Sequence, residues 1–404
     1  MNILKKNSRT GPLDHIRVLD LGQTLAGPLT STILSDLGAE VIKVERPNHG
    51  DQTRHFAPFL KGESHYFLSI NRNKKSITID LKSEEGKKVF WDLVKKCDVL
   101  IENFRPGVME KMGFGKDAIH AVKPDMIICS ISAFGSTGPY GNKAGYDIML
   151  QALSGAMSLT GEQGKPMRSG FPIGDIIGGL YGAVSILGAV VEKEKTGKGL
   201  NIDLSLLDNL VSLLGYFSGK YFLTGESDLP VGSHHPFIVP YGTYKTSNGF
   251  IVLAVYTEEF WRKFAITIEK SEWLNDDRFS SNGSRVENRD LLIDLIQQVI
   301  KTKTIDEWGK VFDANDITYA PILDVEGVLN HPQVQARNLI KEVEHPTYGT
   351  FKHVGTPIRY SNAPLDNNAA PPTLGEHTEE VLKNILGYTS AEIDKVMKIG
   401  VKLS

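Results

Sequence analysis

An α/β fold with a mostly parallel sheet, joined to a smaller α+β domain, is what this sequence predicts. Three observations lead there. Short apolar runs alternate with helical stretches as far as about residue 222, the order that covers both faces of a parallel sheet with helices. Beyond that point two strand-like runs meet at Asn248-Gly249, a hairpin signal. The 404 residues suffice for two or three domains with substantial cores.

Arg17-Val18-Leu19-Asp20-Leu21 reads as the first strand. A helix follows with Pro28 in its first turn, where the missing N–H costs nothing, and Gly38 ends it after Leu37. Val41–Glu45 is the second strand, and strict alternation makes Ile77–Leu81 the third. Ser83 caps a helix running to about Lys96, with Glu84 and Glu85 favoured by its N-terminus. Val99–Glu102 and Met126–Ser130 are further strands. The apolar, glycine-rich stretch Ile176–Ala183 predicts a buried helix that other backbones approach closely, closed by Thr196-Gly197-Lys198-Gly199. Asn201–Leu204 reads as a strand and Leu206–Tyr216 as a helix. After Phe222 come strands Val239–Lys245 and Phe250–Val255, then helices Thr257–Glu269 and Arg289–Lys301. From about Ala320 the chain returns to the first domain, with a last helix opening at Gly375-Glu376-His377-Thr378. The expected layout is a disordered tail over 1–10, a large domain over 11–222 and 320–404, and a small α+β domain over 223–319.

Composition narrows the partners. A net charge of −3, with 41% hydrophobic and 23% charged residues, is ordinary for a soluble protein and exerts no general pull on nucleic acid or anionic lipid. An anionic ligand must then be held by a local basic site. Cys97 and Cys129 stand alone beside apolar runs, which reads as two buried, reduced thiols. Met1–Thr10 lacks the apolar stretch of a signal peptide. The longest apolar run, Ile173–Val191, contains Asp175, Tyr181 and many glycines, interruptions that argue against a membrane span. A cytoplasmic location, with no membrane or nucleic-acid partner, is the expectation.

Several motifs are missing. The turn Gly22-Gln23-Thr24-Leu25-Ala26-Gly27 lacks the central glycine of a dinucleotide fingerprint, although Glu45 falls at the acidic position expected for a ribose contact. No Walker A loop, H-E-x-x-H, C-x-x-C or G-x-S-x-G occurs. Arg46, Arg54, Arg72, Lys74, Lys75 and Lys82 cluster around the first sheet. They could hold the phosphates of a nucleotide-like ligand, or form a solvated charged loop. Asp175 is the most unusual residue, an acid in the setting Phe171-Pro172-Ile173-Gly174-Asp175-Ile176-Ile177-Gly178. It reads either as the N-cap of the following helix or as a carboxylate nucleophile.

Taken together the motifs resemble class III CoA-transferases, the CaiB–BaiF family, from about Gly11 to Gly400. The segments that carry the likeness are Leu25-Ala26-Gly27-Pro28, Leu37–Pro47, Gly50–Arg54, Asn71–Ser76, Glu102-Asn103-Phe104-Arg105-Pro106-Gly107, Ala144-Gly145-Tyr146-Asp147, Gly174-Asp175, Thr196–Gly199 and Leu374–Thr378. The resemblance implies an interlocked homodimer with a Rossmann-like large domain built from both termini. It implies an acyl-CoA and a small carboxylic acid as substrates, with no tightly bound cofactor and no metal. Asp175 matches the catalytic aspartate, which carries the acyl group as an anhydride and then CoA as a thioester. For CoA itself, Thr24, Leu25 and Ala26 match the turn at the thiol-bearing arm. Arg46, Ile79 and Lys82 match the nucleotide end, and Asn103, Phe104, Lys111 and Met112 match further contacts. Lys111 stands where an arginine occurs in a formyl-CoA member, keeping the charge and losing the fork. Tyr146 matches a tyrosine near the acyl group.

The pattern, with Ile238-Val239-Pro240-Tyr241, looks most like members that use dicarboxylic acids, of the succinyl-CoA:glutarate type. A second carboxylate needs a second cation, and Arg105, Arg168 and the pair His234 and His235 are the candidates. The histidines lie in Gly232–Phe237, where some members carry a polyglycine loop, and they read equally as exposed loop residues. Three rivals stand beside transfer. An α-methylacyl-CoA racemase would carry a histidine at Tyr146 and a glutamate near Thr257, where Glu258 and Glu259 are adjacent. A non-catalytic acyl-CoA binder would need neither Asp175 nor Tyr146. A nicotinamide oxidoreductase would need the missing glycine.

Overall fold

The computed structural model describes residues 10–362, 365 and 368–401, so the tail expected over 1–10 lies outside the described residues except for Thr10. Six strands form one wholly parallel sheet: β1 Arg17–Asp20, β2 Glu40–Glu45, β3 Lys74–Thr78, β4 Val99–Glu102, β5 Ile127–Ser132 and β6 Asn201–Ser205. Their spatial order is 3-2-1-4-5-6. The connections therefore reverse direction between β1 and β4, and a crevice opens there beyond the carboxyl ends of the strands.

Neighbouring residues on the strands face opposite sides, and both sides are buried. Leu19, Ile42, Leu100 and Ile128 join one core, with the helix Glu84–Val94. Val18, Val41, Val99 and Ile127 join the other. This two-sided burial explains the unbroken apolar runs in the sequence. Cys97 and Cys129 are free thiols within these cores, and burial pushes Cys129 up to about 12.

The helices that matter here are α1 Ala26–Asp36, α2 His65–Ile70, α3 Glu84–Val94, α4 Asp147–Leu153, α5 Ile173–Thr196 and α6 Leu206–Ser212. The expected helix closes at Thr196 with Gly197 as its C-cap and begins earlier, at Ile173; by length and composition alone it is long and apolar enough to cross a membrane, a test that core helices of soluble proteins also pass. Here one side of it packs on α1, α6 and the sheet. Glycines allow this: a Cβ on Gly182 would stand 2.4 Å from Thr30 Oγ1, and one on Gly179 would stand 2.9 Å from Leu29. Leu29 thus meets Gly179 and Thr30 meets Gly182, so α1 and α5 run parallel and begin at the same end.

Two expectations need correction. The third strand is Lys74–Thr78 rather than Ile77–Leu81. Its polar residues have internal partners: Lys74 Nζ reaches Asp20 and Ser76 Oγ donates to Glu45. The alternating run leaves the sheet after the Ile79 N–H bonds the Glu45 carbonyl. The helix expected over Leu206–Tyr216 stops at Ser212, and a new one, Tyr216–Thr224, follows Gly215 at φ 51°.

That break is also a boundary. The chain divides into one compact unit of Met1–Ser154, Gly170–Leu213 and Gln335–Ser404, and another of Gly155–Ser169 and Leu214–Val334. In the first, the returning segment lies along β3, where Gly375 N–H bonds Ser76 Oγ and Thr78 N–H bonds Thr378 Oγ1. In the second, strands Tyr241–Lys245, Phe250–Ala254 and Tyr319–Pro321 make an antiparallel sheet. Its core holds Trp261, Trp273, Trp308 and Phe312. The expected small domain, 223–319, lies inside this unit's longer segment.

Candidate active site

The crevice between β1 and β4 is framed by the loops that leave those strands. After β1 the chain turns through Gly22, Gln23 and Thr24 into α1. Asn103, just past β4, grips this turn from both sides: it accepts from the Gln23 N–H at 2.8 Å and donates to the Gln23 carbonyl at 2.8 Å. Thr24 is left-handed, with φ 66°, a conformation uncommon for a β-branched residue. Asp51 accepts its N–H at 3.1 Å. Leu25 and Ala26 are buried behind it at the start of α1. No described group accepts the N–H of Leu25, Ala26 or Gly27, which leaves the donors of a helix N-terminus open to an anion.

The start of α5 lies alongside. The N-cap position there is Pro172, and Asp175 is the third helical residue, so the N-cap reading of Asp175 is corrected. Capping comes from Asp147 at the head of α4, whose Oδ1 accepts the Gly174 N–H at 2.7 Å. Its other oxygen takes the Gln151 amide at 2.6 Å. A Cβ on residue 174 would stand 3.0 Å from Asp147 Oδ1 and 3.1 Å from Leu210, so glycine eases this approach.

Asp175 itself receives no hydrogen bond from any described residue. Burial first, and the charge of Asp147 second, push its carboxyl up to about 6. The ends of two parallel helices favour negative charge at the same place. Asp175 is therefore a half-buried, partly desolvated carboxylate, mostly ionised at neutral pH and short of partners that would blunt its lone pairs. Such a group is a nucleophile suited to an activated carbonyl. Tyr66 on α2 is a further neighbour. Burial, and then the charges of Asp175, Asp51 and Asp147, push its phenol up to about 12, so it stays a hydrogen-bond donor.

On the β2 and β3 side of the crevice lies a cavity of about 510 Å³. Val44, Ile79, Leu81, Phe104 and Met112 supply apolar surface, and Arg46 and Lys82 supply charge. Neither cation has an ion pair among the described residues. This pairing suits a flat ring carrying anionic groups. The broader basic cluster does not form. Arg54 is buried and spans Glu45 and Glu63, Arg72 pairs with Asp36, Lys74 is buried against Asp20, and Lys75 bridges Glu40 and Glu380. Glu45 is likewise taken, by Arg54, Ser76 and the Asp51 N–H, and cannot serve a ribose.

The other expected residues disperse. Tyr146, the residue before α4, is 74% exposed, and with Asn103, Phe104, Arg105 and Lys143 it lines a smaller recess of about 130 Å³. Lys111 is exposed on the short helix Val108–Lys111 and lines neither cavity. Arg168, His234 and His235 belong to the other unit. There Arg168 is exposed and bonds the Ser169 carbonyl. The histidines are packed rather than freely exposed. His235 stacks on Tyr241 and its Nδ1 accepts the Phe237 N–H, while His234 lies edge-on to Tyr244. Burial and then Arg289 lower both, so they are neutral near pH 7. Glu258 is bound by Arg285 through two contacts of 2.9 Å.

Sequence reasoning missed Asp51, Tyr66 and the capping role of Asp147. Asp147 and Asp51 both stood inside recognised motifs, and Pro172 before the helix, whose ring carries no hydrogen-bonding group, hinted that another residue must cap it. Nothing local marks Tyr66. Among the described residues no group of three or more His, Cys, Asp or Glu is placed to hold a metal ion.

The comparisons with known proteins bear on this site. A family model for CoA-transferase family III matches residues 13–378. The human succinyl-CoA:glutarate CoA-transferase is 38% identical over 392 residues, covering 96% of this chain and 90% of that protein. The succinate–glutarate CoA-transferase of Agrobacterium fabrum is 37% identical over 391 residues, covering 94% of this chain and 96% of its own. A solved CAIB/BAIF family protein from Brucella suis superposes with a TM-score of 0.85 at 36% identity, covering 94% of this chain and 100% of that one. Likeness in sequence and in backbone runs nearly end to end, and on that ground this chain is an enzyme of CoA-transferase family III.

Proposed function

We propose that the protein moves CoA from a dicarboxyl-CoA donor to a second small dicarboxylic acid, with Asp175 as the covalent nucleophile. The observation that carries this is the desolvated, unbonded Asp175 carboxylate beside open helix N–H donors. Asp175 attacks the thioester carbonyl, giving an aspartyl mixed anhydride and CoA thiolate. The thiolate attacks the aspartyl carbonyl, forming an aspartyl-CoA thioester and freeing the donor acid. The acceptor carboxylate then attacks that thioester, giving a second anhydride and the thiolate again. Attack of the thiolate on the acceptor carbonyl yields the new acyl-CoA and regenerates Asp175. Each tetrahedral step builds negative charge on oxygen, and the N–H groups of Leu25 and Ala26, which have no described acceptor, are its donors in this reading.

CoA lies with its adenine in the apolar cavity near Ile79 and its phosphates at Arg46 and Lys82. Its thiol end runs past Asn103 and Phe104 toward Asp175. Tyr146 and Arg105 border the acyl portion. The choice of dicarboxylates follows the names of the human and Agrobacterium relatives.

The working form is an interlocked homodimer in the cytoplasm. The outer side of α5 supports an association, since Leu180, Val184 and Val191 are 46%, 62% and 50% exposed.

The test is intact-protein mass after incubation with succinyl-CoA, with and without hydroxylamine. A hydroxylamine-sensitive adduct of CoA or succinyl mass is expected, and Asp175→Ala should lack it. Glutarate should discharge the adduct. An adduct that survives in Asp175→Ala, or α-proton exchange in deuterated water without any adduct, would refute the mechanism. Transfer to monocarboxylates alone would refute the substrate class.

A further inference from the structure

Beneath the turn that follows β1 lie two lysines and two aspartates, all fully buried: Asp20, Lys43, Asp51 and Lys74. Their charges cancel, and each is tied to the backbone between Gly22 and Pro28. Asp20 Oδ1 accepts the Gly22 N–H at 2.7 Å, and Lys43 Nζ donates to the Gly22 carbonyl at 2.7 Å. Asp51 Oδ1 takes the Thr24 N–H, and Lys74 Nζ donates to the Pro28 carbonyl at 2.8 Å. Lys43 Nζ also lies 2.9 Å from Asp51 Oδ2, the ion contact that joins the two sides.

Buried ion pairs of this kind add little to stability compared with apolar side chains of the same volume, so their presence points to a conformation they enforce. That conformation is visible. Thr24 is left-handed although neither glycine nor asparagine, and a strained residue persists only where its surroundings over-determine it. The consequence lies one residue further on. With Gly22, Gln23 and Thr24 all bonded to the frame, the N–H groups of Leu25, Ala26 and Gly27 are left without described acceptors, at the end α1 shares with α5.

We propose that Asp51, steadied by Lys43, is a positioning residue for the reaction. It locks Thr24 in its left-handed turn, so that the N–H groups of Leu25 and Ala26 meet the negative charge that develops beside Asp175. Lys43 and Asp51 act through the turn and do not touch substrate. This inference rests on the transfer mechanism proposed above.

Asp51→Ala removes both the acceptor for Thr24 and the partner of Lys43. Asp51→Asn keeps the Oδ1 acceptor for Thr24 and turns the oxygen facing Lys43 into an amide donor, so it removes the ion contact alone. Loss of an aligned oxyanion donor lowers kcat by about 100-fold or more. The expected result for Asp51→Ala is a kcat loss of that size that exceeds any rise in KM for acyl-CoA, the KM change arising because Asp51 also caps the turn Gln52–His55 that borders the CoA cavity. Asp51→Asn should keep kcat within about tenfold of native. Hydrogen exchange supplies a readout independent of activity: the amides of Gly22, Gln23 and Thr24 should exchange faster in Asp51→Ala and near the native rate in Asp51→Asn. Should Asp51→Ala fail to fold, Lys43→Met, which releases the Gly22 carbonyl and unpairs Asp51, takes its place. Unchanged exchange overturns the proposal, and so does faster exchange with native kcat. If the native protein transfers CoA from no donor, the transfer mechanism fails, and exchange alone decides whether Asp51 holds the turn.

Discussion

Replacing Asp175 with asparagine should make the protein more stable while abolishing its activity. The carboxyl is pushed from 3.8 to about 6 by burial and by Asp147. At about 1.4 kcal/mol per pKa unit, ionising it inside the fold costs up to ~3 kcal/mol at pH 7 relative to the unfolded chain. The sign follows from proton counting. Between pH 3.8 and 6 the native state holds the proton more often than the unfolded state, so stability falls as pH rises through that window. Asp175→Asn has no charge to bury and escapes the loss. Linkage puts the penalty at roughly 1.5 kcal/mol at pH 5 and roughly 3 kcal/mol at pH 7. Any constant effect of the amide cancels in the difference between the two pH values, about 1.5 kcal/mol. Urea unfolding of the native and variant proteins at pH 5 and pH 7 measures it. The variant should gain on the native protein by that amount from pH 5 to pH 7, while transfer falls at least about a thousandfold. A gap that stays constant or narrows toward pH 7 would refute the desolvation argument, whatever the activity.

With Asp175 as the proposed nucleophile, kcat/KM should fall about tenfold per pH unit below pH 6, and Asp147→Asn, which removes one of the two causes of the shift, should move that limb to lower pH in the kcat/KM profile. Arg46→Ala and Lys82→Ala should each raise KM for acyl-CoA by about tenfold, the effect of one charge-assisted phosphate contact, with kcat unchanged and a weaker dependence of KM on salt. Gly182→Ala brings a methyl group to 2.4 Å from Thr30 Oγ1; overpacking should cost about 1–3 kcal/mol in urea unfolding, partly offset by alanine's better helix propensity. A full gain of about 1 kcal/mol in that variant would show that α1 and α5 are not held at this contact.

The sequence alone determined a great deal here. Strand-like runs alternating with helical stretches made a parallel sheet with helices on each side legible without coordinates. Asp175 stood out as a candidate too, because an acid amid glycine and isoleucine conflicts with its surroundings, and such conflicts concentrate at functional sites. Beyond that, local signals misled. The third strand was placed three residues late because alternation marks which residues face apart, and Lys74 and Ser76 spend their polar atoms inside the protein. The basic cluster looked like one anion site because spacing counts charges without showing their partners. Folding commits Arg54, Arg72, Lys74 and Lys75 to carboxylates distant in sequence and leaves Arg46 and Lys82 facing a cavity. The cap of α5 comes from Asp147, 27 residues away, and the turn at Thr24 is held by Asp51 and Asn103 from two other loops. Hydrophobic period is a property of neighbouring residues, and one chain displays it unaided. The pKa of Asp175 and the shape of the Thr24 turn depend on which distant groups arrive beside them, and that is decided only when the sheet has assembled.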